Sequence, residues 1–168
     1  MKYMMLHRRE QKVFLAELEA MPDFLADRFA DVPVSGLTTA GPDDTFSPLE
    51  HVWHLADLER DGFALRIERL KAGGHPQLPD FDGGAVAEAG NYKARSLDEG
   101  IAAFRAARRD NVAALRDLPA AHWLNTGEQE GVGSVTLCDI PAMMAEHDAI
   151  HRDEIGRWLS ARQQSGQH

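Results

Sequence analysis

The sequence predicts an all-α protein, a four-helix bundle, and three observations carry that reading. Apolar residues recur at helical spacing along four long stretches. Two of those stretches open on capping boxes, Ser47-Pro48-Leu49-Glu50 and Ser96-Leu97-Asp98-Glu99. No segment alternates for long enough to read as a convincing strand. The chain has 168 residues and is 43% apolar, enough to bury a core as one domain over 1–168 without covalent staples.

The first stretch runs from Leu6 to Asp31, with Phe14, Leu18, Met21 and Leu25 on one face. Pro22 falls inside it and predicts a kink or a second segment there. The second begins at the N-cap Ser47, with proline in its first turn, and runs to Ala72, where Gly73-Gly74 stops it. The third runs from Ser96 to about Leu118, before Pro119. The fourth starts at Thr136 or Asp139, since Pro141 suits a first turn opened by either cap, and continues to about Arg162. About twenty residues separate the second and third stretches, HPQLPDFDGGAVAEAGNYKARS, and loops of that length often cover or line a site. A shorter connection spans His122 to Ser134, and Val132 to Thr136 could pair locally as a strand.

Charge and composition narrow the function. A net charge of −9, from 27 acidic and 18 basic residues, repels polyanions and argues against nucleic-acid partners. No apolar run approaches the roughly 20 residues that span a bilayer, and the opening MKYMMLHRREQK lacks a secretory core. The single cysteine, Cys138, has no internal partner, which fits a reducing, cytoplasmic setting.

Eight histidines are many for this length, and their placement matters more than their number. In the fourth stretch Ile140, Met144, His147, His151, Ile155 and Trp158 fall within an arc of about 80° on a helical wheel. His147 and His151 thus sit one turn apart in the face that must be buried, where two imidazoles need partners and one divalent ion satisfies both. A third ligand should come from a facing helix, and the second stretch offers His51 and His54. His54 shares an arc of about 40° with Leu58 and Leu65, so the spacing prefers it slightly over His51 without excluding either. Three imidazoles leave a coordination position open, as catalytic rather than structural sites do; zinc and nickel both suit such nitrogen ligands.

Two segments resemble the DinB-like (DinB/YfiT) family. FSPLEHVWHLADLERDGFALRI is similar to its Ser-opened helix carrying His-Leu-x-Asp-x-Glu, and GVGSVTLCDIPAMMAEHDAIHRDEIGRWL to its closing His-Asp-x-x-His segment. The loop LPDFD and the tail NVAALRDLP follow in the family's order; Phe46 stands where a Trp is usual, and Pro141 where ordinary helix formers are. The resemblance implies a four-helix bundle holding a divalent metal on His54, His147 and His151. It also implies a thiol-dependent transferase or isomerase in which a low-molecular-weight thiol binds the metal as thiolate, or a hydrolase using metal-activated water. A non-catalytic stress-related or ligand-binding bundle is the reading from outside enzymology. A small-molecule substrate and a homodimer are the partners such a protein would have.

Several other residues need a role. Glu154 shares the His147/His151 face and is the candidate catalytic carboxylate, as general base, imidazole acceptor or further ligand, against a rim charge paired with an arginine. Asp57 and Asp148 lie next to these motifs, but a solvated charge is the expectation for both. Arg108 and Asn111 interrupt the third stretch's apolar stripe; an internal ion pair is favoured for Arg108 over a substrate carboxylate. Cys138 lies nearly opposite His147 and makes a poor ligand. His7, His75, His122 and His168 need no special role, and Trp53, Trp123 and Trp158 read as packing anchors.

Overall fold

Four helical arms make up the bundle, and local capping chemistry opens the second, third and fourth. The computed structural model describes residues 8–166, so the expected start at Leu6, together with His7 and His168, lies outside the described residues. The first arm is α1 (Arg8–Glu19) followed by α2 (Met21–Phe29), with Pro22 in the first turn of α2, where its missing N–H costs nothing. The second arm is α3 (Pro48–Asp57), a π-helical turn over Leu58–Phe63, and α4 (Ala64–Ala72). Ser47 caps it by a reciprocal box, its Oγ accepting from Glu50 N while Glu50 Oε2 accepts from Ser47 N at 2.8 Å.

The third arm is α6 (Leu97–Arg116) and the fourth α7 (Ile140–Ser165). The fourth enters through a short 3-10 turn over Leu137–Asp139. There Asp139 Oδ2 accepts from both Thr136 N and Thr136 Oγ1 at 2.8 Å, so the two candidate caps act together. Among the described residues no helix is long and apolar enough to cross a membrane.

The long second connection is not plain loop. It carries α5 (Gly83–Gly90), capped by Asp82 accepting from Ala85 N at 3.0 Å, and a 3-10 turn over Tyr92–Ala94. The glycine and alanine content of this segment hides so short a helix from periodicity. A small sheet takes up the stretch suggested at Val132 to Thr136 and adds two strands the sequence does not show: β2 (Thr126–Gln129) pairs antiparallel with β3 (Gly133–Thr136) and parallel with β1 (Gln77–Leu78). Strands of two and four residues are too short to alternate visibly. The hairpin turn between them needs glycine, since Gly131 and Gly133 take φ of +75° and +100°.

The π turn changes which residues of the second arm face inward. A regular helix would put Leu65 on the His54 face. Instead Leu65 is half-buried, while Leu58, Phe63, Ile67 and Leu70 enter the core at spacings of five, four and three. The Asn111 side-chain amide donates to the Glu59 carbonyl inside this turn at 3.0 Å.

Two apolar clusters fill the bundle. One gathers Leu15, Leu18, Phe63, Ile67, Val112, Leu115 and Met144, with Leu78 and Val135 of the sheet beneath it. The other gathers Met21, Phe29, Val52, Trp53, Phe104 and Ile155. Each arm changes from one cluster to the other over a few residues, and there a polar layer crosses the bundle. Arg108, 1% exposed, donates through Nη1 and Nη2 to both oxygens of Asp148 at 2.6 and 2.9 Å. Its Nη1 also donates to the Leu18 carbonyl at 2.8 Å, and its Nη2 lies 3.0 Å from Glu59 Oε2. Asn111 Nδ2 completes the group on Glu59 Oε1 at 2.9 Å.

Arg108 therefore has the internal ion pair its sequence position suggests. Asp148, expected in solvent, is buried as its partner. Asp57 is corrected likewise: it is 5% exposed and accepts from Tyr92 Oη at 2.6 Å, with Arg60 at 3.0 Å. Both aspartates sit at helix positions a wheel would assign to a rim, and only the inward arginine and tyrosine from other elements explain their burial.

Replacing Arg108 by Leu should cost about 3–5 kcal/mol in chemical denaturation, because two carboxylates stay buried without their cation. A loss under about 1 kcal/mol would mean that the layer is open to water.

Candidate metal centre

Four imidazoles meet where α3 faces α7, directly above the polar layer. His51 and His54 lie one turn apart on α3, and His147 and His151 one turn apart on α7. His54 Nε2 lies 3.2 Å from His147 Nε2, and His147 Nε2 lies 3.3 Å from His151 Nε2. Two nitrogens each about 2.05 Å from one tetrahedral ion stand about 3.3 Å apart, so these three rings already have the spacing of a shared ion.

Among the described residues, His54, His147 and His151 form one group able to hold a metal; His51, His151 and Glu154 form another. The residues present fit a divalent ion on a second count. Three neutral rings converging through one nitrogen each cannot satisfy one another with the single N–H that each carries.

His51, which spacing ranked just behind His54, is in the cluster as well. Its Nδ1 lies 2.8 Å from His151 Nδ1, with the two rings edge to face. It approaches His151 from the side opposite the Nε2 group. Glu154 is on that side too, its Oε2 3.9 Å from His51 Nδ1 and 4.0 Å from His151 Nδ1.

Burial and mutual repulsion keep the rings neutral, the form that binds metal. Burial, then the neighbouring His54, lowers His51 to about 3. Burial and His147 lower His54 to about 4, partly opposed by Asp57. Burial, with Arg108 and Arg66, lowers His147 to about 4. Burial and the other three rings lower His151 as well. Burial pushes the Glu154 carboxyl up, against the pull of Arg157.

The walls come from residues to which the sequence assigns no role in the site. Phe46, just before the Ser47 cap, packs edge-on to His51 and His54 and stacks on His151, with centroids 5.2 to 6.3 Å apart. Phe81 of the long connection lies 6.1 Å from the His54 ring. Gly83, the first residue of α5, passes so close that a Cβ there would stand 2.6 Å from His54 Cε1. The connection thus lines the site, as its length suggested, while half-buried His147 is the ring nearest solvent. An aromatic at an N′ position and a Gly-Gly pair after an N-cap were the available signals, and both have commoner explanations in capping.

Unfolded histidines titrate near 6.5, above every folded value here. Below pH 6.5 the unfolded chain therefore takes up protons that the folded chain refuses. The cluster's contribution to stability is present above 6.5 and lost as pH falls toward 4. Thermal melts of metal-free protein should show the melting temperature falling steadily from pH 7 to pH 4, and replacing His51 and His151 by Phe should flatten that dependence.

The comparisons with known proteins agree with this architecture. YfiT from Bacillus subtilis, described as a probable metal-dependent hydrolase with an unusual four-helix bundle topology, superposes with a TM-score of 0.83 at 18% identity. The match covers 96% of this chain and 90% of that one, and at that identity it establishes the fold. No curated protein sequence matches. The family model of the DinB superfamily matches residues 17–155, a span that takes in His51, His54, His147 and His151. The chain belongs to the DinB superfamily.

Proposed function

We propose that this protein is a metal-dependent hydrolase of a small organic substrate, with His54, His147 and His151 as the metal ligands. The observation that carries the reading is the convergence of three Nε2 atoms at 3.2 and 3.3 Å beside the half-buried edge of His147. A divalent ion bound there would supply Lewis acidity and an open position for water or a substrate oxygen.

The chain's own residues do the rest. Burial holds the imidazoles unprotonated, so they bind without first losing protons. Phe46 and Phe81 give the site apolar walls that exclude water and suit an apolar group on the substrate. Glu154 has its carboxylate behind His151, on the Nδ1 side, and we assign it to holding the rings rather than to contact with substrate. The YfiT description supports hydrolysis by analogy of fold.

Thiol-dependent transfer would use the same open position. Hydrolysis is placed ahead of it because Arg108, the inward cation that could have held a thiol cofactor's carboxylate, is closed off by Asp148 and Glu59.

Metal analysis of protein purified without chelators should give about one divalent ion per chain, and none in His147→Ala. A panel of activated esters and amides should then be cleaved by the wild type and not by that variant. Metal-free wild type from metal-replete cells would sink the proposal. Thermal stabilisation by cysteine, glutathione, bacillithiol or mycothiol, without hydrolysis, would favour the transferase.

The approach of α5 gives a second test. Gly83→Ala should weaken zinc binding on the order of tenfold while leaving the helical circular dichroism intact, because the new methyl displaces the His54 ring.

A further inference from the structure

The fourth imidazole is unexplained by a three-ligand site. His51 is 1% exposed, so it is neither a rim residue nor a contact for substrate. Its Nδ1 sits 2.8 Å from His151 Nδ1, a hydrogen-bonding distance, and the two rings stand at 87° with centroids 5.0 Å apart. The three rings of the candidate metal group face one another through Nε2, so on His151 the atom toward His51 is the one left over.

A neutral imidazole has one N–H. A ring that gives its Nε2 lone pair to a metal must carry its proton on Nδ1, and that N–H needs an acceptor if the ring is to stay in place. For His151 the acceptor within reach is the Nδ1 lone pair of His51. His54 provides the contrast: its Nδ1 is buried with no hydrogen-bond partner among the described residues.

We propose that His51 is a positioning residue for the metal centre: its Nδ1 accepts the Nδ1–H of His151, fixing the tautomer that points the His151 Nε2 lone pair at the ion. The inference rests on the metal-binding reading above. The direction of the bond follows from it, since His51 must then hold its own proton on Nε2. Glu154, about 4 Å from both Nδ1 atoms, places a carboxylate beside the shared proton and favours the pair over two separated rings. An imidazole thus takes the place that a carboxylate or carbonyl usually has behind a metal-bound histidine.

The test compares wild type with His51→Leu, which keeps the volume and removes the acceptor, and His51→Asn, whose Oδ1 restores an acceptor where Nδ1 was. Zinc affinity is read by competition with a chromophoric chelator, and folding by circular dichroism and metal-free melts. His51→Leu should bind zinc about 10- to 100-fold more weakly, and His51→Asn within about threefold of wild type. Long-range proton–nitrogen NMR on the zinc-loaded wild type should show His151 protonated at Nδ1 and His51 at Nε2.

Equal affinity in His51→Leu and wild type overturns the proposal, as does equal loss in both variants, which would make the effect one of packing. A His51 protonated at Nδ1 overturns it too. So does a stoichiometry of two zinc ions per chain, which would make His51, His151 and Glu154 a second site. Wild type that binds no zinc at all defeats the underlying metal reading, and this inference with it. Tight wild-type binding unchanged in His51→Leu defeats this inference alone.

Discussion

The bundle is organised around one buried cation. A guanidinium as enclosed as that of Arg108 is tolerated only with anions and carbonyls at close range, and no single helix can provide them. Asp148 comes from α7, Glu59 from the π turn of the second arm and the Leu18 carbonyl from α1. Satisfying one side chain of α6 therefore fixes the depth and rotation of all three other arms. On α7, positions 147 and 151 lie about 100° and 60° to the same side of position 148. Once Asp148 is held on Arg108, His147 and His151 are turned toward α3. The polar layer and the histidine cluster are two consequences of one registration.

That arrangement also explains why the imidazoles are neutral. They sit between two apolar clusters and next to an arginine, in a place that disfavours further positive charge on a side chain. A small divalent ion differs from a proton here because it is shared by several nitrogens at once. His51 Nε2 and His54 Nδ1, buried and without hydrogen-bond partners among the described residues, are where the rings' own hydrogen-bonding capacity exceeds what those residues offer.

Much of this was legible in the sequence, for reasons that differ by residue. The capping box at Ser47, the serine cap at Ser96 (without the reciprocal Glu99 bond) and the His-x-x-x-His stripe are local patterns, and local patterns survive folding. Spacing ranks His51 second, because a wheel gives angles and not the partner across the interface. Asp57 and Asp148 were expected in water; their burial depends on Tyr92 and Arg108, which arrive from other elements. Of the sheet only the Val132 to Thr136 stretch is suggested by the sequence, because strands of two and four residues are too short to alternate. Leu65 leaves the face its spacing predicts for a further reason: a wheel assumes 3.6 residues per turn, and the second arm departs from that at Leu58–Phe63.

That departure has a consequence for how related chains are compared. A π turn amounts to one surplus residue in a helix, so it acts as a frame shift in three dimensions. Everything beyond it is rotated by about 100° relative to an uninterrupted helix. His54 precedes the turn and Ile67 and Leu70 follow it. A homologue lacking the surplus residue would match at His54 and need a one-residue gap within the turn before its core positions fall on Ile67 and Leu70. Deleting one residue within this turn would let the arm run on as a regular helix with Ile67 and Leu70 still facing the interior, whereas a deletion elsewhere between His54 and Ile67 would rotate both away. The irregularity is thus inherited together with the core it orients, and a single-residue gap near Gly62 is the mark by which lineages without it should be recognised.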